Sequence, residues 1–211
     1  GPAFVPDWTF KGSTLNGWRV VGEAGWTAQN GELIGKPKPA GGGWLMLDRS
    51  YQDVNLFTSF RCTGGCKTGV LLRAEKTPEG WKGIYVSLSE GDTGSFQVVL
   101  NAQGQEVERK PLRMPGGIVR VAPPPSGEGA ARRGFAPPAG GMMLGRGGPV
   151  LPLVRTSPRL KPGEWNDIEL VLDANIVRYT LNGGGRVGGA TDESANGYGP
   201  IALYAGGAGE V

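Results

Sequence analysis

Histidine is absent from this 211-residue chain. That excludes any mechanism that needs an imidazole base. It also leaves too few ligands for an ordinary zinc site, because two cysteines alone cannot close one. Those two are the whole cysteine supply and sit together in Cys62-Thr63-Gly64-Gly65-Cys66. The spacing is C-x-x-x-C and not the redox C-x-x-C. The pair is therefore expected to form a small disulfide across the tip of a hairpin, which needs an oxidising compartment. No apolar run approaches the length of a membrane span. A secretory leader is also missing, so a mature or trimmed chain is expected, periplasmic or secreted. Gly1-Pro2 reads either as a natural mature terminus or as the scar of a protease. Charge is nearly balanced, with 22 Lys and Arg against 19 Asp and Glu, a net of +3. The basic residues form no stripe and no nucleic-acid motif, so nucleic acid is not an expected partner.

Helical periodicity is lacking too, and short runs of β-branched and aromatic residues broken by Gly, Pro, Asn and Asp take its place. Asp167 to Leu172 alternates cleanly: Ile168, Leu170 and Leu172 point one way, Asp167, Glu169 and Val171 the other. This is the pattern of a half-buried strand. Ile176 to Leu181 follows after the short turn Asp173-Ala174-Asn175, which predicts a hairpin, and Asn182-Gly183 ends it. Val54 to Arg61 and Thr68 to Arg73 flank the cysteine turn as a second predicted hairpin. Gly83 to Ser89 and Ser95 to Leu100 flank Glu90-Gly91-Asp92-Thr93-Gly94 as a third. Trp18 to Val21, Glu32 to Gly35, Trp44 to Leu47 and Pro200 to Tyr204 are shorter candidates. Many short strands with turn signals between them predict an all-β antiparallel β-sandwich or barrel. The length suits one domain over 1–211.

One segment breaks the pattern. From Pro115 to Pro149 Gly and Pro dominate, and the interruption runs to about residue 157. Such composition buries too little apolar area to offset its ordering entropy. It reads as an insertion between strands, with Met142, Met143 and Leu144 as an apolar island and Arg132, Arg133 and Arg146 as sites for trypsin.

The order of motifs resembles a known family. Leu15-Asn16-Gly17-Trp18 is followed by Trp26 to Leu33, Leu47-Asp48-Arg49-Ser50-Tyr51-Gln52-Asp53 and Thr68-Gly69-Val70-Leu71-Leu72-Arg73. Pro162-Gly163-Glu164-Trp165-Asn166, Asn182-Gly183 and Gly199-Pro200-Ile201-Ala202-Leu203 complete the series. Together they resemble the 3-keto-disaccharide hydrolase (3-keto-glucoside hydrolase) domain family over nearly the whole chain except the insertion. The resemblance implies a concanavalin- or laminin-G-like jelly roll, bacterial and extracytoplasmic, acting on glycosides. Two family positions differ. Tyr85 stands where the family carries a strand Glu, and Leu203-Tyr204-Ala205-Gly206-Gly207 holds no His where the family often has His-Gly. The family also continues by one more strand, so an open C-terminal edge is expected beyond Val211.

The activity implied by the resemblance has a clear physical logic. A ketone at sugar C3 acidifies the C2 proton, so the aglycone can leave by elimination and water can then add. Such a site needs a base near C2 and a positive or hydrogen-bonding group for the developing enolate. Arg73, ending an apolar strand with the parity of Leu71, is the candidate enolate stabiliser or a strand-end cation paired with an acid. Tyr85, opposite in parity to Ile84, Val86 and Leu88, is expected on the other sheet face with Ser87 and Ser89. Asp48, Asp53, Glu90 and Asp192 are turn carboxylates and candidate bases, and the resemblance favours Asp192. Trp81 and Lys82, in a polar stretch, are the expected exposed sugar contacts, with Ser87 and Asp48. Trp18, Trp26, Trp44 and Trp165 read as core or loop anchors, and Glu164-Trp165-Asn166 as a strand opening. No D-x-D-x-D-like loop stands out, although calcium could bind a jelly-roll loop through oxygen ligands. Two other readings stand beside the enzyme: a non-catalytic carbohydrate-binding module, and a structural subunit that self-associates through the Gly/Pro arm and the C-terminal edge.

Overall fold

The computed structural model describes residues 5–113, 160–185, 187–191 and 197–211. The Gly/Pro arm, with Met142, Met143, Leu144 and its arginines, lies outside the described residues. The described residues form strands and turns without a helix. The strands are β1 (Trp18–Gly22), β2 (Ala24–Gln29), β3 (Glu32–Pro37), β4 (Gly42–Tyr51), β5 (Val54–Arg61), β6 (Cys66–Thr77), β7 (Gly80–Ser87), β8 (Gly94–Asn101), β9 (Glu106–Pro111), β10 (Trp165–Asp173), β11 (Ile176–Leu181), β12 (Val187–Ala190) and β13 (Gly199–Gly207).

A large sheet of seven strands runs β1-β4-β13-β6-β7-β8-β9, a small sheet of four runs β12-β11-β10-β5, and β2-β3 forms a separate ribbon. Neighbouring strands in both sheets pair antiparallel. The core lies between the sheets because period-2 alternation gives each sheet one apolar face. Ile168, Leu170 and Leu172 of β10 meet Val70 and Leu72 of β6, Ile84 and Val86 of β7, and Ile201 of β13. Asp167 and Glu169 face solvent, as the alternation predicts. The β10–β11 and β7–β8 hairpins also form as predicted. A second cluster covers the beginning of the large sheet, where Trp26 of the ribbon packs on Leu45 and Ala205.

Two expectations fail. Cys62 and Cys66 are disulfide-bonded, but β5 and β6 are not a hairpin: β5 pairs with β10 in the small sheet, β6 with β13 and β7 in the large one. Gly64 and Gly65 both take positive φ, 65° and 78°, and carry the chain out of one sheet into the other. That backbone region suits glycine because it has no Cβ. The disulfide therefore clamps an arch across the sandwich. The last strand is likewise not an edge. β13 lies between β4 and β6, because Ile201 packs inward, Ala202 outward, and Gly199, Ala205 and Gly206 keep both faces thin enough to bury.

The large sheet curls. A Cβ on Gly22, at the end of β1, would lie 2.8 Å from the Gln103 carbonyl oxygen in the β8–β9 turn, and one on Gly104 would lie 3.3 Å from Val21. Opposite ends of the strand order thus meet over the face turned away from the small sheet. The Trp44 indole N–H closes the seam with a 2.8 Å hydrogen bond to the Gly104 carbonyl. That face is concave, and its closed half is filled by Met46, Leu71, Trp81, Val98 and Leu100.

Candidate functional site

The open half of the concave face is floored by glycine. Gly42 of β4 and Gly206 of β13 lie under the Tyr204 phenol, Gly69 of β6 under Tyr85, and Gly94 of β8 under the Phe96 ring. A methyl group at Gly69 would come to 2.5 Å of the Tyr85 hydroxyl, and one at Gly206 equally close to that of Tyr204. Strand-interior glycine marks a close approach, and here it lets aromatic rings lie down on the sheet. The Tyr85 and Tyr204 rings meet edge to face with centroids 6.2 Å apart, and Trp44 stands 5.4 Å from Tyr85 and 4.7 Å from Tyr204. T-shaped pairs of this kind are favoured by the ring quadrupole.

Over these rings sits one cation between two carboxylates. Arg109 of β9 donates from Nε and Nη2 to Glu106 at 2.7 and 3.0 Å, and from Nη1 to both oxygens of Asp92 at 3.1 and 3.0 Å. Its guanidinium lies 4.3 Å from the Phe96 centroid and 5.7 Å from that of Tyr85. The bond to Glu106, aided by Asp92, holds Arg109 charged more firmly than usual despite its partial burial. Ser87 adds a 3.2 Å hydrogen bond to Asp92. Burial pushes the Tyr85 phenol well above its ordinary value, with Tyr204 adding to the effect. Tyr204 is raised by burial and by the charge of Glu106. Both phenols keep their protons at neutral pH, and the half-buried Tyr204 can donate. The arrangement offers aromatic surface, two partly exposed carboxylates, a fixed cation and a phenolic donor within one cup.

The expected site residues divide between the two faces. Tyr85 and Ser87 lie on the concave face, as their parity predicts, but Tyr85 is only 4% exposed. Ser89 is buried, tied to the Thr68 backbone at both N–H and carbonyl. Arg73 does not join Tyr85. A register shift between Leu72 and Glu75 breaks the parity with Leu71, and Arg73 itself takes φ 50°. Its buried side chain turns toward the small sheet, donating to the carbonyls of Gln52 and Ala174 at 2.6 Å each and to Asp53 at 3.2 Å. Burial lowers its pKa while Asp53 opposes that shift. Trp81 is not exposed: at 9% it belongs to the filled half of the cup, because the β7 alternation carries it beside Leu100. Lys82 points to the other side, 3.7 Å from Glu75, in a polar recess of about 330 Å³ shared with Arg73. Asp48 and Glu90 are exposed, away from this cluster's contacts. Asp192 lies outside the described residues. Asn166 is buried, bonded to Lys161, Glu164 and Asn182, and staples the start of β10. Among the described residues no group of three or more His, Cys, Asp or Glu side chains gathers as a metal site.

Sequence reasoning missed Tyr204, Phe96, Asp92, Glu106 and Arg109. The available signal was the glycine at strand positions 42, 69 and 206. The polar strand β9, which brings Glu106 and Arg109, carries too little alternation to be seen.

The family model of the 3-keto-alpha-glucoside-1,2-lyase-like domain matches residues 7–211. No curated protein matches the sequence. Among solved structures, the carbohydrate binding module CBM66 from Bacillus subtilis superposes with a TM-score of 0.53 at 10% identity, covering 92% of this chain and 91% of that one. A protein assigned as a glycosyl hydrolase from Parabacteroides distasonis ATCC 8503 superposes with a TM-score of 0.54 at 14% identity, covering 95% and 87%. At such identities the likeness concerns the fold, an all-β jelly-roll sandwich.

Proposed function

The chain belongs to the family of 3-keto-alpha-glucoside-1,2-lyase-like domains, a carbohydrate-active or carbohydrate-binding group, and we propose that its concave cup receives a glycoside and cleaves the 3-keto form. The observation that carries this reading is the cup itself: glycine-seated tyrosines beneath Arg109, flanked by Glu106 and Asp92. In the proposed step a carboxylate takes the C2 proton, the electron pair moves toward the C3 ketone, and the C1–O bond breaks. The aglycone leaves with its electron pair and gains a proton. Water then adds across the resulting double bond to give the free 3-keto sugar. Glu106, beside Tyr204, is the proposed base. Arg109 and the Tyr204 hydroxyl stabilise the enolate oxygen, an electrostatic role suited to a preorganised, partly dry site. Asp92 positions Arg109. Asp192, favoured by the resemblance, is the rival base.

Turnover of a 3-keto-glycoside by wild type, Glu106→Gln and Asp192→Asn tests the assignment. Loss in the first variant alone supports it, and loss in the second alone transfers the role. A non-catalytic carbohydrate-binding module is the second reading, favoured by a protonated Tyr85 at the family's Glu position. Binding of an unoxidised glycoside without turnover of its 3-keto form would select it. The disulfide supports an extracytoplasmic location for either reading.

A further inference from the structure

A groove separate from the concave cup runs along the opposite side of the large sheet. β5 ends the strand order of the small sheet, so its outer edge is unpaired among the described residues. Between that edge, the segment 5–10 and the β2–β3 ribbon lies a cavity of about 960 Å³, near the top of the range of roughly 300–1,000 Å³ typical of ligand sites. Trp8, Phe10, Trp18, Trp26, Phe57 and Trp165 line it.

Two independent observations say what kind of molecule would fit. Trp18 and Trp26 carry buried indole N–H groups without a hydrogen-bond partner, and Trp26 is only 8% exposed. Buried donors are normally satisfied, so unpaired ones call for an acceptor. The described charged residues of the lining are Asp7, Glu32, Asp53 and Glu210 against Arg61. Asp7, Asp53 and Glu210 are paired with Arg49, Arg73 and Lys36 and Glu32 stands against Arg61, so the lining carries little net charge and its carboxylate oxygens can accept from hydroxyl groups. A pyranose presents apolar C–H faces for aromatic rings, oxygens that accept from N–H, and hydroxyls that donate to carboxylates.

We propose that this groove is a second, non-catalytic site for a neutral oligosaccharide. The proposal rests on the reading of the domain as carbohydrate-handling, and adds a chain-holding site distinct from the cup. Calorimetric titration of the full chain with cellohexaose, maltohexaose and mannohexaose tests it, with hexagalacturonate as the anionic comparison. A peptide of alternating Val and Thr probes the free β5 edge. At least one neutral hexasaccharide should bind saturably and hexagalacturonate should not. Trp8→Ala and Trp165→Ala, both in the lining and outside the core clusters, should each weaken binding by about tenfold with unchanged circular dichroism. Arg109→Ala should retain it. Binding that survives both tryptophan changes but is lost with Arg109→Ala would overturn the groove and leave the cup standing. Binding of none of the neutral sugars, or of the peptide in their place, would also overturn it.

Discussion

Arg73 carries two readings in sequence, an enolate stabiliser or a strand-end cation paired with an acid, and its contacts are those of the second. An arginine ending an apolar strand suggests a charge aimed into a site. A positive φ and a bulge instead turn it toward two carbonyl groups and Asp53, where it ties the β4–β5 and β10–β11 turns to the large sheet. Removing it takes the charged donor away from two part-buried carbonyl groups, so Arg73→Ala should lower unfolding stability by about 2 kcal/mol, part of the usual penalty being relieved by the exposure of Asp53. Urea titration measures this, and an unchanged midpoint would contradict the tie. Tyr85 makes a second residue-scale prediction. Its folded-state pKa is raised, so its contribution to stability is complete below the ordinary tyrosine value. It is lost as pH rises, because the unfolded chain releases the proton first. Stability should therefore fall above about pH 10, and Tyr85→Phe should flatten that fall. An equal slope in both proteins would show the phenol to be less secluded than its burial implies.

At the scale of elements, alternation was legible and sheet partnership was not. β10, β11, β7 and β8 are readable because each puts its apolar residues on one face and joins its neighbour by a short turn. β5 and β6 look like another such pair. Adjacency in sequence cannot distinguish a hairpin from an arch when Gly64 and Gly65 permit either, and the long-range pairing of β5 with β10 decides it. The cross-link closes a loop between Cys62 and Cys66, for which loop-closure entropy gives a contribution on the order of 2 kcal/mol. Intact-mass analysis with and without alkylation should show no free thiol before reduction, and reduction should shift the urea midpoint accordingly. The glycine floor makes another element-scale prediction. Gly206→Ala should displace Tyr204 and reduce turnover of a 3-keto-glycoside by about tenfold or more, the usual consequence of a misplaced site group. The double variant with Tyr204→Ala, which removes the clashing ring, should relieve the overlap but not restore turnover. Full activity in Gly206→Ala would mean that the seat does not position the site.

For the whole molecule, the sandwich and its two faces follow from the strand pattern, but the curl of the large sheet does not. It depends on β1 and the β8–β9 turn meeting across the cup at Gly22 and Gly104, a contact between opposite ends of the strand order. The candidate site was legible in part, as the face of β7 that carries Tyr85 and Ser87, while Arg109, Glu106 and Tyr204 come from other strands. The expected open C-terminal edge fails for a related reason, since β13 is the strand that joins β4 to β6 and completes the floor of the cup. The family assignment and the cup converge on glycosides, and Arg109 is the group on which the chemical proposal turns. The most direct measurement is therefore cleavage of a 3-keto-glycoside, beside its unoxidised parent, by wild type and Arg109→Ala. The account predicts that wild type releases the aglycone from the 3-keto form only. It also predicts that Arg109→Ala, folded by circular dichroism, loses about two orders of magnitude in kcat/KM. Equal turnover by the two proteins, or no turnover of the 3-keto form by wild type, would contradict it.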